Sequence, residues 1–364
     1  MKTSFISSLS VQTTMRYAVA KAQKDMVAAQ QEVTTGRHAD VGVALGATTA
    51  RSLDLTRDVL RIKSMLTTNS LATQRLESSE EALSKMSDRS QDVMNALITL
   101  GDSKDATMLA TFQTSIQTAL ETVVGFANTS VNGEYLFAGI NSDVKPLEDV
   151  SDANSAARQA LDRELDIFLA AQVPPVTKDQ MTAAQSTAFL TKMENIFAGT
   201  EALTPVPPAV AGADFWSTFV SNASDTSMKS RVSQSEVLDT STSANTKGMR
   251  DFMFTAFVSE MFINTATSDE GRREAAARAM SYIGSAKLGI DQERTRLGLS
   301  AERVKKADET LQAQKNIIET HLNDLESVDA YEASTRVKGL EALIETAYTL
   351  TSRLQQLSLV NFLR

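Results

Sequence analysis

Histidine, cysteine and paired carboxylates carry most protein catalysis and metal binding, and this sequence offers few of them in a usable arrangement. It contains no cysteine and two histidines, His38 and His321, which lie far apart along the chain. Neither has a second histidine or cysteine at the spacing of a metal site, so we expect a turn histidine and a helix-surface histidine. The adjacent acids Glu80-Glu81 and Asp269-Glu270 point in different directions on a helix and are predicted to lie on solvated faces.

Known catalytic and nucleotide-binding motifs are also missing from the sequence. There is no phosphate-binding loop, no GxSxG nucleophile elbow and no HExxH zinc motif. We therefore predict no catalytic residue, no metal ligand and no cofactor, in a protein that is not an enzyme. An enzyme inserted in the middle of the chain stays as an alternative, although that region contains neither histidine nor cysteine.

The composition indicates a helical protein with its own core. Apolar residues make up 42% of the 364 residues, whereas aromatic residues make up only 5%. This mixture favours long helices over a β-rich enzyme core. The net charge is −9 and the positive charges are scattered, which argues against a nucleic-acid partner. The N-terminus lacks the apolar core of a signal peptide, and no run of about 18 apolar residues occurs, so membrane insertion is not expected.

The prolines divide the chain into three parts. All six lie between Pro146 and Pro208, and none lies outside this stretch. Because proline interrupts helices, the pattern predicts a helical arm, an irregular middle and a second helical arm. In the middle, residues 153–171 and 179–198 have helical character, and the polar run 221–246 is expected to form loops or short strands.

Apolar residues near the start of the first arm repeat at alternate intervals of four and three, which places them along one side of a helix. They are Met15, Val19, Ala22, Met26, Ala29 and Val33. Gly36 is a reasonable helix end, and the range 36–46 is expected to be a loop or turn region. A second helix follows with a seam over residues 55–83, it ends near Gly101, and another helical segment covers roughly 105–130.

The second arm has the same organisation. Apolar residues recur every seven positions along a long helix, weakened by three glycines: Ile283, Ile290, Leu297, Val304, Leu311, Ile318 and Leu325, with Gly284, Gly289 and Gly298. A polar interval, Glu326 to Arg336, is expected to separate it from a last helix. The seam of that helix is predicted to be Leu340, Leu343, Ala347, Leu350, Leu354 and Leu357.

These patterns predict a mainly α fold. Long antiparallel helices from both chain ends would form an elongated bundle, with a smaller irregular or mixed α/β middle domain inserted at its far end. The expected segments are a helical assembly segment at 1–48, the first part of a helical rod at 49–139, a variable middle domain at 140–240, the second part of the rod at 241–326 and a second assembly segment at 327–364. Both arms have their own seams, so replacing residues 146–215 is expected to leave the helical bundle intact.

Asn132-Gly133 suits a tight turn, and Tyr135 and Phe137 would alternate on one face of a strand after it. The run NTSVNGEYLFAG at 128–139 resembles the segment that follows the first helical arm in hook-associated protein 3, the hook–filament junction family of the flagellin superfamily. The start of the chain and the stretch 322–363 resemble the two ends of that superfamily. The stretch after Gly36 departs from it, because one acid, Asp40, stands where an acidic, alanine-rich stretch is usual.

The resemblance implies a structural subunit of the bacterial flagellum, at the junction between hook and filament and needed for motility. The implied partners are other copies of the chain, a hook-side junction protein, flagellin and a flagellar export chaperone. The implied location is the flagellum, reached through the flagellar export channel without a cleaved signal peptide. The alternatives are flagellin itself and an intracellular coiled-coil scaffold.

The terminal seams are the candidate contact sites between subunits, because a lone helix exposes its apolar side until a neighbour covers it. The candidate interface residues are Met15, Val19, Ala22, Met26, Val33, Leu340, Leu343, Leu350, Leu354 and Leu357.

Overall fold

A computed structural model of the chain describes residues 8–152, 154–205 and 214–362, with side chains described between residues 10 and 353 except at residue 12. Helices dominate these residues and the strands are short, which confirms the predicted mainly α fold class. The longest helices come from both halves of the sequence, as the seams predict.

The first four helices are α1 (Ser8–Thr35), α2 (Val41–Leu45), α3 (Thr49–Leu100) and α4 (Ala106–Ala127). They are followed by α5 (Ala156–Ala170), α6 (Ala183–Ala198), α7 (Lys247–Phe262), α8 (Asp269–Glu326) and α9 (Ala330–Phe362). Two antiparallel hairpins pair β1 (Ser130–Val131) with β2 (Glu134–Tyr135), and β3 (Lys229–Arg231) with β4 (Val237–Asp239).

Several helix ends follow directly from residue type. Gly36 has a φ of +69° and its N–H donates to the carbonyl of Glu32 at 2.8 Å, so α1 ends where the glycine predicts. Gly101 ends α3 with a φ of +53°. Asp105 then starts α4, because its carboxylate accepts the N–H of Met108 at 2.8 Å.

Two of the loops are shorter than the sequence predicts. The range 36–46 contains α2, which begins where the carboxylate of Asp40 accepts the N–H of Val43 at 2.9 Å. The polar interval after α8 occupies only residues 327–329, because Asp329 accepts the N–H of Tyr331 at 2.7 Å and starts α9. A local N-cap therefore starts a helix at both places.

The Asn132-Gly133 turn is confirmed, but the alternating strand after it is wrong. Both residues have positive φ, +54° and +84°, as a two-residue hairpin turn requires. The strand ends at Tyr135, and Leu136 and Phe137 are both fully buried. Leu136 and Phe137 lie in a turn, and both of their side chains enter the core, so this segment is not a strand with one solvated face.

The chain folds into two compact units. The first contains the described residues up to Ser64 and from Thr310 onward. In it, α1 packs on α9, and the start of α3 runs antiparallel to the end of α8. Ser52 donates to Glu326 at 2.5 Å, and Lys63 lies 3.3 Å from Glu319, which fixes this direction.

The second unit, Met65–Glu309, holds the main core. Here α3 and α8 are again antiparallel, with Arg294 at 2.8 Å from Glu80 and Ser87 donating to Asp291 at 2.8 Å. The heptad residues of α8 in this unit, Ile283, Ile290, Leu297 and Val304, are all buried. The seam in this part of the sequence is therefore a core stripe.

Helix α7 is buried around nearly its whole circumference and packs on both α4 and α6. The ring of Phe197 in α6 lies 5.5 Å from that of Phe254 and 5.8 Å from that of Phe257. Phe189 lies 5.7 Å from Phe262. The middle of the sequence thus supplies one wall of this core.

Two glycines let α7 lie directly on α8. A Cβ atom on Gly289 would approach the Cα of Gly248 to 2.8 Å, and one on Gly248 would approach the N of Ile290 to 2.7 Å. No side chain fits at such distances from backbone atoms. The glycines therefore set how closely these helices approach.

A buried ionic group joins α5 to α6 and to the chain beyond it. Glu164 has no exposed surface, and its carboxylate accepts from the ammonium of Lys192 and the hydroxyl of Thr204, each at 2.7 Å. The N–H of Thr204 also donates to this carboxylate. The carboxylate thus has a hydrogen-bond donor on each oxygen, as a buried charge requires.

Candidate assembly surface

The terminal helices α1 and α9 form an antiparallel pair within the chain. The side-chain amide of Gln23 donates to the hydroxyl of Tyr348 at 3.0 Å, and Arg336 donates to Glu32 at 3.0 Å. Later residues of α1 therefore meet earlier residues of α9. The apolar side of each helix is at least partly covered by the other before any neighbouring molecule is added.

The seam of α1, which the sequence predicts as a contact between subunits, faces α9 of the same chain. Ala22 and Ala29 are buried, with exposed fractions of 5% and 1%, and Met15, Val19 and Met26 are half-buried. Small alanines allow two helices to approach closely. The contact of Ala22 is therefore made inside the chain, which leaves little of that side chain for another subunit.

The inner side of α9 differs from the predicted seam. Its fully buried residue is Ala333, and the half-buried apolar residues and one threonine follow at intervals of four and three: Val337, Leu340, Ile344, Ala347 and Thr351. Of the predicted seam, Leu340 and Ala347 thus belong to the side of α9 that packs on α1.

Leu343 and Leu350 lie on a second row that stays exposed. Their exposed fractions are 50% and 44%. At 100° per residue they lie about 60–80° around the helix from Leu340. The expectation of one continuous seam is wrong in this respect, since α9 has an inner apolar row and an outer one.

Three predicted interface residues lie at the ends of these two helices. Val33, in the last turn of α1, is 38% exposed. Leu354 and Leu357 lie in α9, but their side chains are outside the described residues. Helical periodicity alone predicts that they continue the row of Leu343 and Leu350.

The outer side of α1 also carries large apolar groups that the heptad analysis missed. Tyr17 is 74% exposed and Val27 is 60% exposed, and both lie on the side of the helix away from Ala22 and Ala29. The sequence does contain a sign of these two residues, because each is apolar at a position where the outer side of a two-helix pair would be charged or polar.

Two buried carboxylates fix the turns beside the terminal pair. Glu32 of α1 is 8% exposed and bonds to Arg336, while Glu326 of α8 is 7% exposed and lies 3.1 Å from Arg37. The ring nitrogen Nδ1 of His38 lies 3.7 Å from Glu32, which confirms the turn position predicted for this histidine.

Backbone bonds join the same two turns. The N–H of His38 donates to the carbonyl of Glu326, and the N–H of Val328 donates to that of Gly36, both at 3.0 Å. The turns after α1 and after α8 therefore hold each other, and α9 leaves this point in a fixed direction.

The first unit is unusually rich in exposed apolar side chains. Among the described residues it holds more than half of the large exposed ones, although it is less than half of the chain. Surfaces of this kind indicate contacts with other proteins. Across the described residues, no cluster of three or more metal-ligating side chains is present. No helix in the described part of the chain has the length and hydropathy to span a membrane.

Comparisons with known proteins identify a helical region of one family at each end of the sequence. The family model for the bacterial flagellin N-terminal helical region matches residues 6–142, and that for the C-terminal helical region matches residues 280–363. Together they cover more than half of the chain. No curated protein matches the sequence at a significant level.

Among solved structures, one that is provisionally named as a flagellar hook-associated protein from Vibrio parahaemolyticus has a similar fold. The TM-score is 0.50 at 11% sequence identity, and the match covers 77% of this chain and 97% of that one. At this identity the likeness establishes a shared fold.

Proposed function

This chain belongs to the flagellin superfamily, and from that premise we propose that it forms the junction between the flagellar hook and its filament. Members of the family are structural proteins of the flagellum, which gives the chain a structural role there. The junction role is a finer assignment than membership of the family.

The outer rows of the terminal helices support an assembly role most directly. The pairing of α1 with α9 leaves Leu343 and Leu350 about half exposed. These two leucines therefore contribute little to the packing of a single chain. Covering such side chains is favourable by about 25 cal/mol per Å² of apolar surface. A neighbouring subunit is the natural cover, because subunit contacts have apolar centres.

The choice of junction protein over flagellin rests on the solved structure with the same fold. Nearly all of that hook-associated protein, 97% of its chain, is matched by this one. The proposed partners are other copies of the chain, a hook-side junction protein, flagellin and an export chaperone. The proposed route is export through the flagellar channel without a cleaved signal peptide.

Deletion of the gene, followed by electron microscopy, tests this function. The expected phenotype is hooks without filaments, with flagellin released into the medium, because flagellin would have no junction on which to polymerise. Full-length filaments on the deletion strain would refute the junction role. The control is the same strain with the gene restored.

Immunogold labelling separates the junction role from that of flagellin. A junction subunit would label one short zone where hook meets filament. Labelling along the whole filament would instead identify the chain as flagellin. Labelling confined to the cell interior would favour the coiled-coil scaffold.

A further inference from the structure

The tip of the first hairpin holds the only Asn-Gly pair in the sequence, Asn132-Gly133. Both residues are exposed, and they connect the short strands β1 and β2. The side-chain amide of an asparagine stands close to the backbone nitrogen of the residue that follows it. A glycine at that place has no Cβ atom to keep the two groups apart. The pair therefore has the composition and the exposure for a reaction between its own atoms.

This reaction removes the side-chain amide of Asn132. The backbone nitrogen of Gly133 attacks Cγ of Asn132 and loses its proton, and Nδ2 leaves with that proton as ammonia. The product is a five-membered succinimide ring. One water molecule then opens either of the two C–N bonds of the ring, which gives aspartate or isoaspartate, each with a new carboxylate. Water is the only reactant that the chain does not supply itself.

We propose that Asn132 is a site of spontaneous deamidation and that its isoaspartate product opens the tip of the hairpin. The side-chain amide of Asn132 donates to Oε1 of Gln74 at the long distance of 3.4 Å. Gln74 is itself exposed, so water competes for this bond and the bond holds the amide weakly.

Asn128, four residues earlier, has the opposite surroundings. It is half-buried, its Nδ2 donates to the carbonyl of Leu147 at 3.0 Å, and its Oδ1 accepts the N–H of Leu147 at 2.9 Å. The residue that follows it is Thr129, whose branched side chain hinders attack by its own backbone nitrogen. Asn128 is thus held at both ends of its amide, whereas Asn132 has a weak bond and a glycine neighbour.

The hairpin controls how fast the reaction runs. Asn132 and Gly133 have φ values of +54° and +84°, as a two-residue turn requires. Ring closure needs rotation about the Cα–C bond of Asn132, which the pairing of Val131 with Glu134 restricts. Glu134 also forms an ion pair with Arg75 of α3, whose side chain is 11% exposed, and this pair holds the hairpin on the helix. The reaction therefore proceeds from conformations in which the tip has opened.

The isoaspartate product cannot keep this turn. Its backbone runs through the former side chain and is one methylene longer, so a two-residue turn no longer fits between Val131 and Glu134. Displacement of Glu134 leaves Arg75 nearly buried without this counter-ion. Leu136 and Phe137 are fully buried and keep the chain beyond the tip in place. The expected change is therefore confined to the tip.

Incubation of the purified full-length protein at neutral and at mildly alkaline pH tests the modification. Peptide mapping by mass spectrometry should detect the change from amide to carboxyl at Asn132 at least tenfold faster than at Asn128. Glu134→Gln should raise the rate at Asn132 at least twofold, because the tip opens more often without the ion pair to Arg75. Equal rates at the two asparagines would overturn the site. An unchanged rate in Glu134→Gln would overturn the control by the hairpin.

Hydrogen exchange on the aged protein tests the consequence. The isoaspartate form, separated by its added charge and identified with an isoaspartate-specific methyltransferase, should exchange the amides of residues 131–134 at least threefold faster, while those of α7 stay unchanged. The matched control is fresh Asn132→Asp, which adds the same charge on a natural backbone and should exchange like the original chain.

Two results would contradict the opening of the tip by isoaspartate. One is equal exchange of residues 131–134 in the isoaspartate form and the unmodified chain. The other is equally fast exchange in Asn132→Asp, which would assign the opening to charge and not to the longer backbone. All of these measurements use the isolated chain, so their failure would leave the junction role standing.

Discussion

The close approach of α7 to α8 depends on single residues that have no side chain. We expect Gly289→Ala to destabilise the second unit by up to about 2 kcal/mol. Overpacking costs about 1–3 kcal/mol, whereas the gain in helix propensity is at most about 1 kcal/mol. Urea unfolding followed by circular dichroism measures the difference.

Gly298→Ala is the matched control in the same helix, because a Cβ atom there meets nothing within 4 Å. It should stabilise by up to about 1 kcal/mol. Equal effects of the two substitutions would show that the contact with Gly248 imposes no steric limit. The sequence predicts only that these glycines weaken α8, because the partner glycine lies far away in the chain.

Glu164 makes the stability of the second unit depend on pH. Burial by itself would raise its pKa, but hydrogen bonds from Lys192 and Thr204 outweigh burial and hold the pKa below its ordinary value. A lowered pKa contributes stability above about pH 4.3, the unfolded value, and that contribution is lost as pH falls through the folded pKa.

We therefore expect Glu164→Gln to lose about 1–3 kcal/mol of unfolding free energy at pH 7, because Lys192 keeps its charge without a buried counter-ion. The natural chain also loses this charge as pH falls through the folded pKa of Glu164, so the difference between the two proteins should shrink on acidification. Chemical unfolding over a series of acidic pH values checks this. A difference that stays constant as the pH is lowered would exclude Glu164 as the source.

Among the helices, α9 offers the clearest test of an assembly surface. Leu350→Asp should block incorporation into flagella and reduce swimming, because an unpaired carboxylate at a covered contact costs several kcal/mol. In the isolated protein the side chain stays in water, so the unfolding free energy should change by less than about 0.5 kcal/mol. Motility plates and circular dichroism give the two measurements.

Thr349→Asp is the control on the neighbouring exposed position, which points about 100° away from Leu350. It should leave swimming near the natural level. If Leu350→Asp swims as well as this control, the outer row of α9 is not an assembly contact. If Leu350→Asp unfolds the isolated protein, the row belongs to the internal packing.

Sequence periodicity predicts the helices well but assigns their sides less well. It correctly gives α1, α3, α8 and the glycine that ends α1, because apolar spacing and capping are local properties. It merges two rows of α9, because Leu340 and Leu343 both fit intervals of three and four. Only the position of α1 shows which row is inside, and that contact joins residues about 300 positions apart.

For the chain as a whole, the two units should differ in how easily they open. The buried residues of the α1–α9 pair are mainly alanines, whereas the second unit buries Phe, Met and Trp side chains. We expect amides in residues 15–33 and 337–351 of the isolated protein to exchange at least tenfold faster than those of α7. Equal protection in hydrogen exchange would contradict this difference.

Replacement of the middle of the sequence gives a second test at the scale of the whole chain. Sequence analysis predicts that residues 146–215 can be replaced without loss of the helical bundle. The packing of Phe189 and Phe197 on α7 leads to the opposite expectation, because replacement would expose Phe254, Phe257 and Phe262. A Gly/Ser replacement should lose cooperative thermal unfolding of the second unit. Retained cooperativity would show that α7 finds cover elsewhere.

The pairing of α1 with α9 also dictates an order of events. Gln23 and Tyr348, which bond across this pair, are separated by 325 positions. The loop that this contact closes contains helices α2 to α8. The entropy cost of closing the loop is therefore largest while the rest of the chain is disordered. During synthesis, α1 has no partner until residues beyond 330 have been made. The pair therefore forms last, and an interrupted chain presents the apolar side of α1 unpaired.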